Sequence, residues 1–339
     1  MTDLEQLSRL VKLTGDRAQP NLNPLAMKIR DIDALALSVK YFGYELARTL
    51  AGALPSRTAL APVYQGLASK PSTQADLESD WVATWCGKLG IPVVFHRKIW
   101  ELCYVLQALH DADLLVDSAR GLGFGCGQEP IPSFLASNGV SVVVTDLNPE
   151  ASAAQGWLSS AQHTTSLARV HKQHLVDEET FRKYCTLRYV DMNDLPDDLR
   201  GFDFCWSICA LEHLGSIAAG LDFIENSLKT LRPGGLAVHT TEFNFLNDDE
   251  TIDNWPTVLF QKKHFVEIER RLTAAGHMVR PLDFDVGSKP LDRFVDIPPW
   301  PHDQSDYVRS VWGSDTAHIK LSIDGFVSTC FGIIVQKAH

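Results

Sequence analysis

The chain lacks most of the short signatures by which a sequence declares its partner. No apolar run approaches the roughly 18 residues of a membrane helix, and the N-terminus has no apolar secretory core. Seven cysteines (86, 103, 126, 185, 205, 209 and 330) form no CxxC and no regular framework, which points to a reducing compartment rather than a disulfide scaffold. The Gly-Lys at Gly87-Lys88 is followed by Leu89, so no GK[ST] phosphate loop exists. The dinucleotide fingerprint G-x-G-x-x-G fails in every frame, because its last position falls on Cys126, Gln128 or Pro130. That disfavours an NAD-dependent oxidoreductase, the rival enzyme class. Cations are in the minority, with 31 Lys and Arg against 42 Asp and Glu, for a net charge of −11. Neither nucleic acid nor an anionic membrane is then an expected partner. A soluble cytoplasmic protein with a small-molecule substrate is expected.

What remains is ordinary globular material: 339 residues, 45% apolar and 22% charged. The length suits two domains, or one α/β domain with large additions. The organising stretch is Gly121 to Asp146, GLGFGCGQEPIPSFLASNGVSVVVTD. It predicts a strand ending near Phe124, a glycine turn, a short helix and a second strand over 141–145. Gly123, Gly125 and Gly127 alternate, so the backbone can turn sharply and approach a ligand without a Cβ in the way. Asp146 ends the second strand, 19 residues beyond Gly127. An acid at about that distance is placed to accept hydrogen bonds from ribose hydroxyls. A nucleoside-bearing cofactor is expected.

Residues 1–95 carry no catalytic motif and predict a helical cap or lid, with helices over 25–54 and 76–89. Lys98 to Leu109 has apolar residues at helical spacing (Leu102, Val105, Leu106, Leu109) and leads into the glycine turn. His96 and Arg97 precede it, placed either to enter the helix or to touch a ligand. Beyond Asp146, a helix is expected over 149–168, then strands over 187–190, 202–209 and 236–240. The helix containing Leu221, Ile224, Leu228 and Leu231 is stopped by Pro233-Gly234-Gly235. Strands at 280–285 and 326–336 complete the set. Such alternation predicts an α/β, doubly wound and mostly parallel seven-stranded sheet. Residues 286–325, with Pro298-Pro299-Trp300-Pro301, Tyr307 and Trp312, are too long for an ordinary connection and predict a substrate insertion within a 96–339 domain.

GFGCG followed by Asp146 resembles the first motif of the class I S-adenosylmethionine (SAM) methyltransferases. The resemblance strengthens along the chain: VDMNDLP with Asp191 looks like the family's third-strand acid. FDFCWSICALEHLGS looks like its fourth-strand motif, and LKTLRPGGLAVHTTEF like its helix, Pro-Gly-Gly turn and fifth strand. All fall in the family's order between residues 115 and 245. Two departures stand out, since the family usually has an acid where Gly123 stands and a glycine where Glu129 stands. The resemblance implies a class I fold holding SAM through Gly123, Gly125, Gly127, Asp146, Leu147, Asp191, Met192 and Cys209. In that fold Asp146 meets the ribose and Asp191 the adenine amino group.

Two places at the carboxyl edge of the sheet offer catalytic groups. Glu212-His213 follows the fourth strand, and His213 is a candidate general base with an ordinary pKa near neutrality. His239 and Glu242 end the fifth strand. They lie on opposite faces of a straight strand and converge only if the chain bends after Thr240. With His318, or alternatively His302, they form the two-histidine, one-carboxylate set that suits Zn²⁺ or Fe²⁺. A metal there would acidify a substrate hydroxyl or enol. The leading expectation is thus O- or C-methylation of an oxygen-rich small molecule, with metal assistance in the manner of a minority of the family. The alternatives are a metal-free enzyme using His213 and a non-catalytic SAM-binding protein. The sequence leaves the oligomeric state open, a homodimer included.

Overall fold

A computed structural model describes residues 31–55, 61–149, 163–298, 300 and 317–339, with scattered positions before residue 31. Helix α1 (Ile32–Ala53) is followed by β1 (Lys70–Pro71), α2 (Gln74–Leu77) and α3 (Asp80–Leu89). Ser79 caps α3 by accepting from the Val82 amide, and Gly90 ends it in the left-handed conformation at φ 65°. Strand β2 (Phe95–His96) leads into α4 (Arg97–Asp111), which is capped by the His96 ring as Nδ1 accepts the Lys98 amide at 3.0 Å. Helix α4 is buried along most of its length, including Trp100, Tyr104 and Leu106, so it is an internal helix rather than a surface one.

The glycine turn joins β3 (Arg120–Phe124) to α5 (Ile131–Ser137) and β4 (Ser141–Asp146). After them come β5 (Cys185–Tyr189), β6 (Phe202–Ile208), α6 (Ile217–Ser227), β7 (Leu231–Asn244) and α7 (Lys262–Ala274). The chain closes with β8 (Met278–Val279), β9 (Val295–Asp296), β10 (Ala317–His318), β11 (Lys320–Ile323) and β12 (Phe326–Gln336). The expected helix over 149–168 falls mostly outside the described residues.

The fold is α/β with a mostly parallel sheet, in the order β5-β4-β3-β6-β7-β12-β11-β9. Strands β5, β4, β3, β6 and β7 run parallel, and β12 pairs antiparallel with β7. The sheet has ten strands rather than the expected seven. The surplus comes from the additions: β1 pairs with β12, and β9 pairs with β11, which pairs with β12. The strand expected at 280–285 is the short β8, two residues earlier and also paired with β12. Residues read as cap and as insertion are therefore stitched into the main sheet. Every residue of β6 up to Ser207 is buried, as a strand covered on both faces requires. Strand β7 begins earlier than expected, because Pro233-Gly234-Gly235 forms an irregularity in its pairing with β6 instead of a break.

Candidate cofactor and substrate site

From β3 the chain moves to β4 on one side and later to β6 on the other, so the strand order reverses at β3. Ligands of open α/β sheets bind at such a point, beyond the carboxyl ends of the strands. A cavity of about 440 Å³ lies there.

Its floor is the glycine turn. Gly125 and Gly127 take φ of 57° and 52°, a region that costs other residues. A Cβ on Gly125 would come within 2.8 Å of the Ala210 Cβ, so the turn lies flush against the loop after β6. Gly123 is different. A Cβ there would meet Cys126 Sγ at 2.3 Å and Trp206 Cζ2 at 2.5 Å. It leaves room for those two side chains and does not line the cavity, which corrects its expected place on the cofactor.

Asp146 is buried at the end of β4, and its carboxylate locks the turn in place. Oδ2 accepts the amides of Gly127 at 3.2 Å and Thr164 at 2.9 Å, and Oδ1 accepts that of Leu147 at 2.9 Å. Burial pushes its pKa up while these amides and the nearby His163 pull against the rise. A carboxylate has about four acceptor positions, so capacity remains for a ribose hydroxyl. Asp191 is exposed at the far wall, accepting the Asn193 amide at 2.8 Å in an Asx turn, with Met192 beside it. Leu147, Met192 and Cys209 all line the same cavity.

The opposite wall carries the polar groups. Cys209 turns the chain out of β6 with φ 44°, fixed by the Cys209 amide donating to the Thr240 carbonyl at 3.0 Å. That turn presents His213, whose Nδ1 bonds the Pro256 carbonyl at 2.9 Å. With the proton on Nδ1, Nε2 is left as the basic nitrogen. Burial lowers the His213 pKa to about 4, so the ring is neutral at pH 7. Glu212 lies behind it, 3.9 Å from Nε2 and bonded to the Thr241 hydroxyl at 3.0 Å. Burial, then the neighbouring Glu242, raise the Glu212 pKa to about 7.

Two side chains given no role from the sequence, and Arg97, for which two roles were open, also belong to the site. Lys98 and Glu129 line the cavity, and Arg97 stands behind Cys209. Arg97 Nη1 lies 2.6 Å from Glu242 Oε1, 3.7 Å from Glu101 Oε1 and 3.3 Å from Cys209 Sγ. Both Glu129 and Lys98 sit at charged positions flanking recognised motifs, which was the only signal available.

The structure does not bring the expected metal ligands together. Strand β7 stays in unbroken register with β12 from Leu236 to Asn244, so no bend follows Thr240. His239 is fully buried between Ser207 Oγ at 2.8 Å and Ser227 Oγ at 3.0 Å, with its pKa lowered to about 3 by burial. Glu242, on the other face, holds Arg97 and accepts from Ser328 Oγ at 2.7 Å. His318 is elsewhere, on β10, with Nδ1 2.6 Å from Asp296 Oδ2. His239 and Glu242 therefore face away from each other, and neither lines the cavity among the described residues. His302 lies outside the described residues. Among those residues, the sets whose atoms could share an ion are Glu101–Cys209–Cys330 and Cys209–Glu212–Glu242. Arg97 already pairs with Glu101, Glu242 and Cys209 there.

Residues 98–279 match the model of a methyltransferase domain family, which is more than half of the chain. The chain belongs to that family and is a SAM-dependent class I methyltransferase. No curated protein matches it in sequence. Among solved structures, one assigned as a sarcosine dimethylglycine methyltransferase from Galdieria sulphuraria is 14% identical, covering 77% of this chain and 99% of that one at a TM-score of 0.44. The [4+2]-cyclase SpnF is 16% identical over 80% of this chain and 98% of its own, with a TM-score of 0.41. Phosphoethanolamine N-methyltransferase 2 of Haemonchus contortus, solved with SAM, is 14% identical over 69% of this chain and 52% of its own, at 0.41. At such distances the likeness says nothing of substrate.

SAM fits the residues present. A Cβ on Gly125 would crowd Ala210 and touch Met192 of the cavity wall, Asp146 keeps acceptor capacity, and Asp191 and Met192 stand at the end where the base would lie.

Proposed function

We propose that the protein methylates an oxygen or carbon nucleophile of an oxygen-rich small molecule without a metal, with His213 as general base. The observation that supports this best is the tautomer of His213: the Pro256 carbonyl holds its Nδ1 proton, leaving Nε2 basic in the cavity wall. The cofactor supplies an electrophilic methyl group on a sulfonium. The protein's part is to hold the acceptor in line and take its proton. A neutral His213 accepts that proton, and Glu212 at 3.9 Å is the carboxyl group nearest the imidazolium so formed. Gly125, Gly127, Asp146, Asp191, Met192 and Cys209 position the cofactor.

A metal-free reading rests on the guanidinium of Arg97, which already supplies the positive charge among Glu101, Glu242 and Cys209. A small acceptor agrees with the net charge of −11, which disfavours nucleic acid. The lack of CxxC spacing supports a cytoplasmic location. Incubating cell extract with enzyme and methyl-labelled SAM, followed by untargeted mass spectrometry, should place label in a small molecule. His213→Ala should lower that labelling about 100-fold while SAM affinity stays within about 3-fold. Treatment with EDTA should leave the wild-type rate unchanged. Label confined to protein or nucleic acid, or loss of activity in EDTA that Zn²⁺ restores, would overturn the reading.

A further inference from the structure

Glu129 is a half-buried carboxyl group that the mechanism does not use. It stands where the family usually has glycine, and it lines the cofactor cavity beside the glycine turn. Trp206 Nε1, from β6, donates to its Oε1 at 2.5 Å, and the Trp206 ring fills the space left by Gly123. The side chain is thus held by a second element rather than left to solvent. Lys98, at the start of α4, lines the same cavity and is the cation acting on Glu129. The other titratable groups facing Glu129 are Glu101 from α4 and Cys126 from the turn itself, with Asp146 beyond Cys126. The ribose and base positions, Asp146 and Asp191, account for the nucleoside end of the cofactor. What remains of SAM is an α-amino acid, a zwitterion. The remaining cavity wall offers one carboxyl group and one ammonium.

We infer that Glu129 and Lys98 hold the amino-acid end of SAM, the carboxylate of Glu129 taking its α-ammonium and Lys98 its α-carboxylate, so that cofactor uptake expels the proton from Glu129. The inference rests on the SAM reading of the cavity. Without the cofactor, burial keeps the Glu129 pKa up at about 8, with Glu101 adding to the rise and Trp206, Lys98 and Cys126 opposing it. At pH 7 the group is then mostly protonated. An incoming ammonium stabilises the anion, and the proton goes to solvent. In this chain the acid absent at Gly123 is supplied from six residues further on.

The test is calorimetric. SAM is titrated into wild type and Glu129→Gln at pH 7 in two buffers of different ionisation enthalpy, giving the protons released per cofactor bound. Methylthioadenosine, which has the nucleoside and sulfur without the amino acid, is titrated in parallel. Wild type should release roughly nine-tenths of a proton with SAM, given a pKa near 8, and close to none with methylthioadenosine. Glu129→Gln should abolish the release and weaken SAM roughly 10- to 100-fold, leaving methylthioadenosine within about 2-fold. Lys98→Met should weaken SAM alone while keeping the release. Equal weakening of both ligands by Glu129→Gln, or proton release that survives it, would show Glu129 to be a shaping residue of the turn and overturn the inference. Failure of wild type to bind either ligand is a different result, and would remove the cofactor assignment on which the inference stands.

Discussion

A single carboxylate sets the geometry of the cofactor end. Asp146 accepts the amides of Gly127, Leu147 and Thr164, so the residue we propose for the ribose also fixes the turn beneath it. Asp146→Ala should weaken SAM by about 1–3 kcal/mol, measured by calorimetry, because buried donors lose their acceptor along with the ligand contact. Undiminished affinity would remove Asp146 from the site. The residue scale is also where sequence reading fell short. Asp146 and Asp191 were legible because each ends a strand at a recognisable spacing. His239 was misplaced because residue type gives chemistry but not facing, and β7 turns that ring toward Ser207, Ser227 and Phe223. Glu129 and Lys98 were missed because a charged residue in a loop or at a helix start is ordinarily solvated.

Between elements, the additions to the sheet are held by buried charge. Lys40 of α1 donates to Asp296 Oδ1 of β9 at 2.5 Å and to the Ile297 carbonyl at 2.6 Å. Tyr44 and His318 meet the other oxygen of Asp296 at 3.1 and 2.6 Å. Asp296→Ala would strand Lys40, which is 3% exposed, and should cost about 3–5 kcal/mol in urea unfolding. Amide exchange should then rise over α1 before it rises over β3 or β6. Equal protection throughout would mean that α1 is held mainly by its apolar contacts. Strands β3 to β7 and β12 were readable from apolar runs and turns, with ends off by a few residues, whereas β11 was hidden inside the stretch read as an insertion. The short strands β1, β9 and β10 were not, since two residues carry no periodicity and exist only through their partners.

For the whole molecule, buried ionisable groups set the response to pH. Folding raises Glu212 to about 7 and Glu129 to about 8 from an ordinary 4.5, so the folded chain binds protons that the unfolded chain has released. Their effect is to lower stability as pH rises toward those values. His213 and His239 act oppositely, since folding lowers them to about 4 and about 3 from 6.5, and they raise stability as pH climbs to 6.5. Above 6.5 the histidines are mostly neutral in both states and the carboxyl groups dominate, until Lys320, lowered by burial to about 8, begins to act the other way. The melting temperature should therefore fall between pH 6.5 and 7.5, and the fall should flatten in a Glu129→Gln, Glu212→Gln double variant. A melting temperature that rises across that range would contradict the assignment of both carboxyls. Among the described residues, no helix is long and apolar enough to cross a membrane.

The most direct test of the central claim, that the crevice at β3 is a SAM site, is a crystal structure with S-adenosylhomocysteine. Density should fill the cavity of about 440 Å³, with the ribose hydroxyls on Asp146, the base beside Asp191 and Met192, and the sulfur facing Cys209 and His213. Density placed anywhere else, or a cavity left empty at saturating ligand, would contradict it.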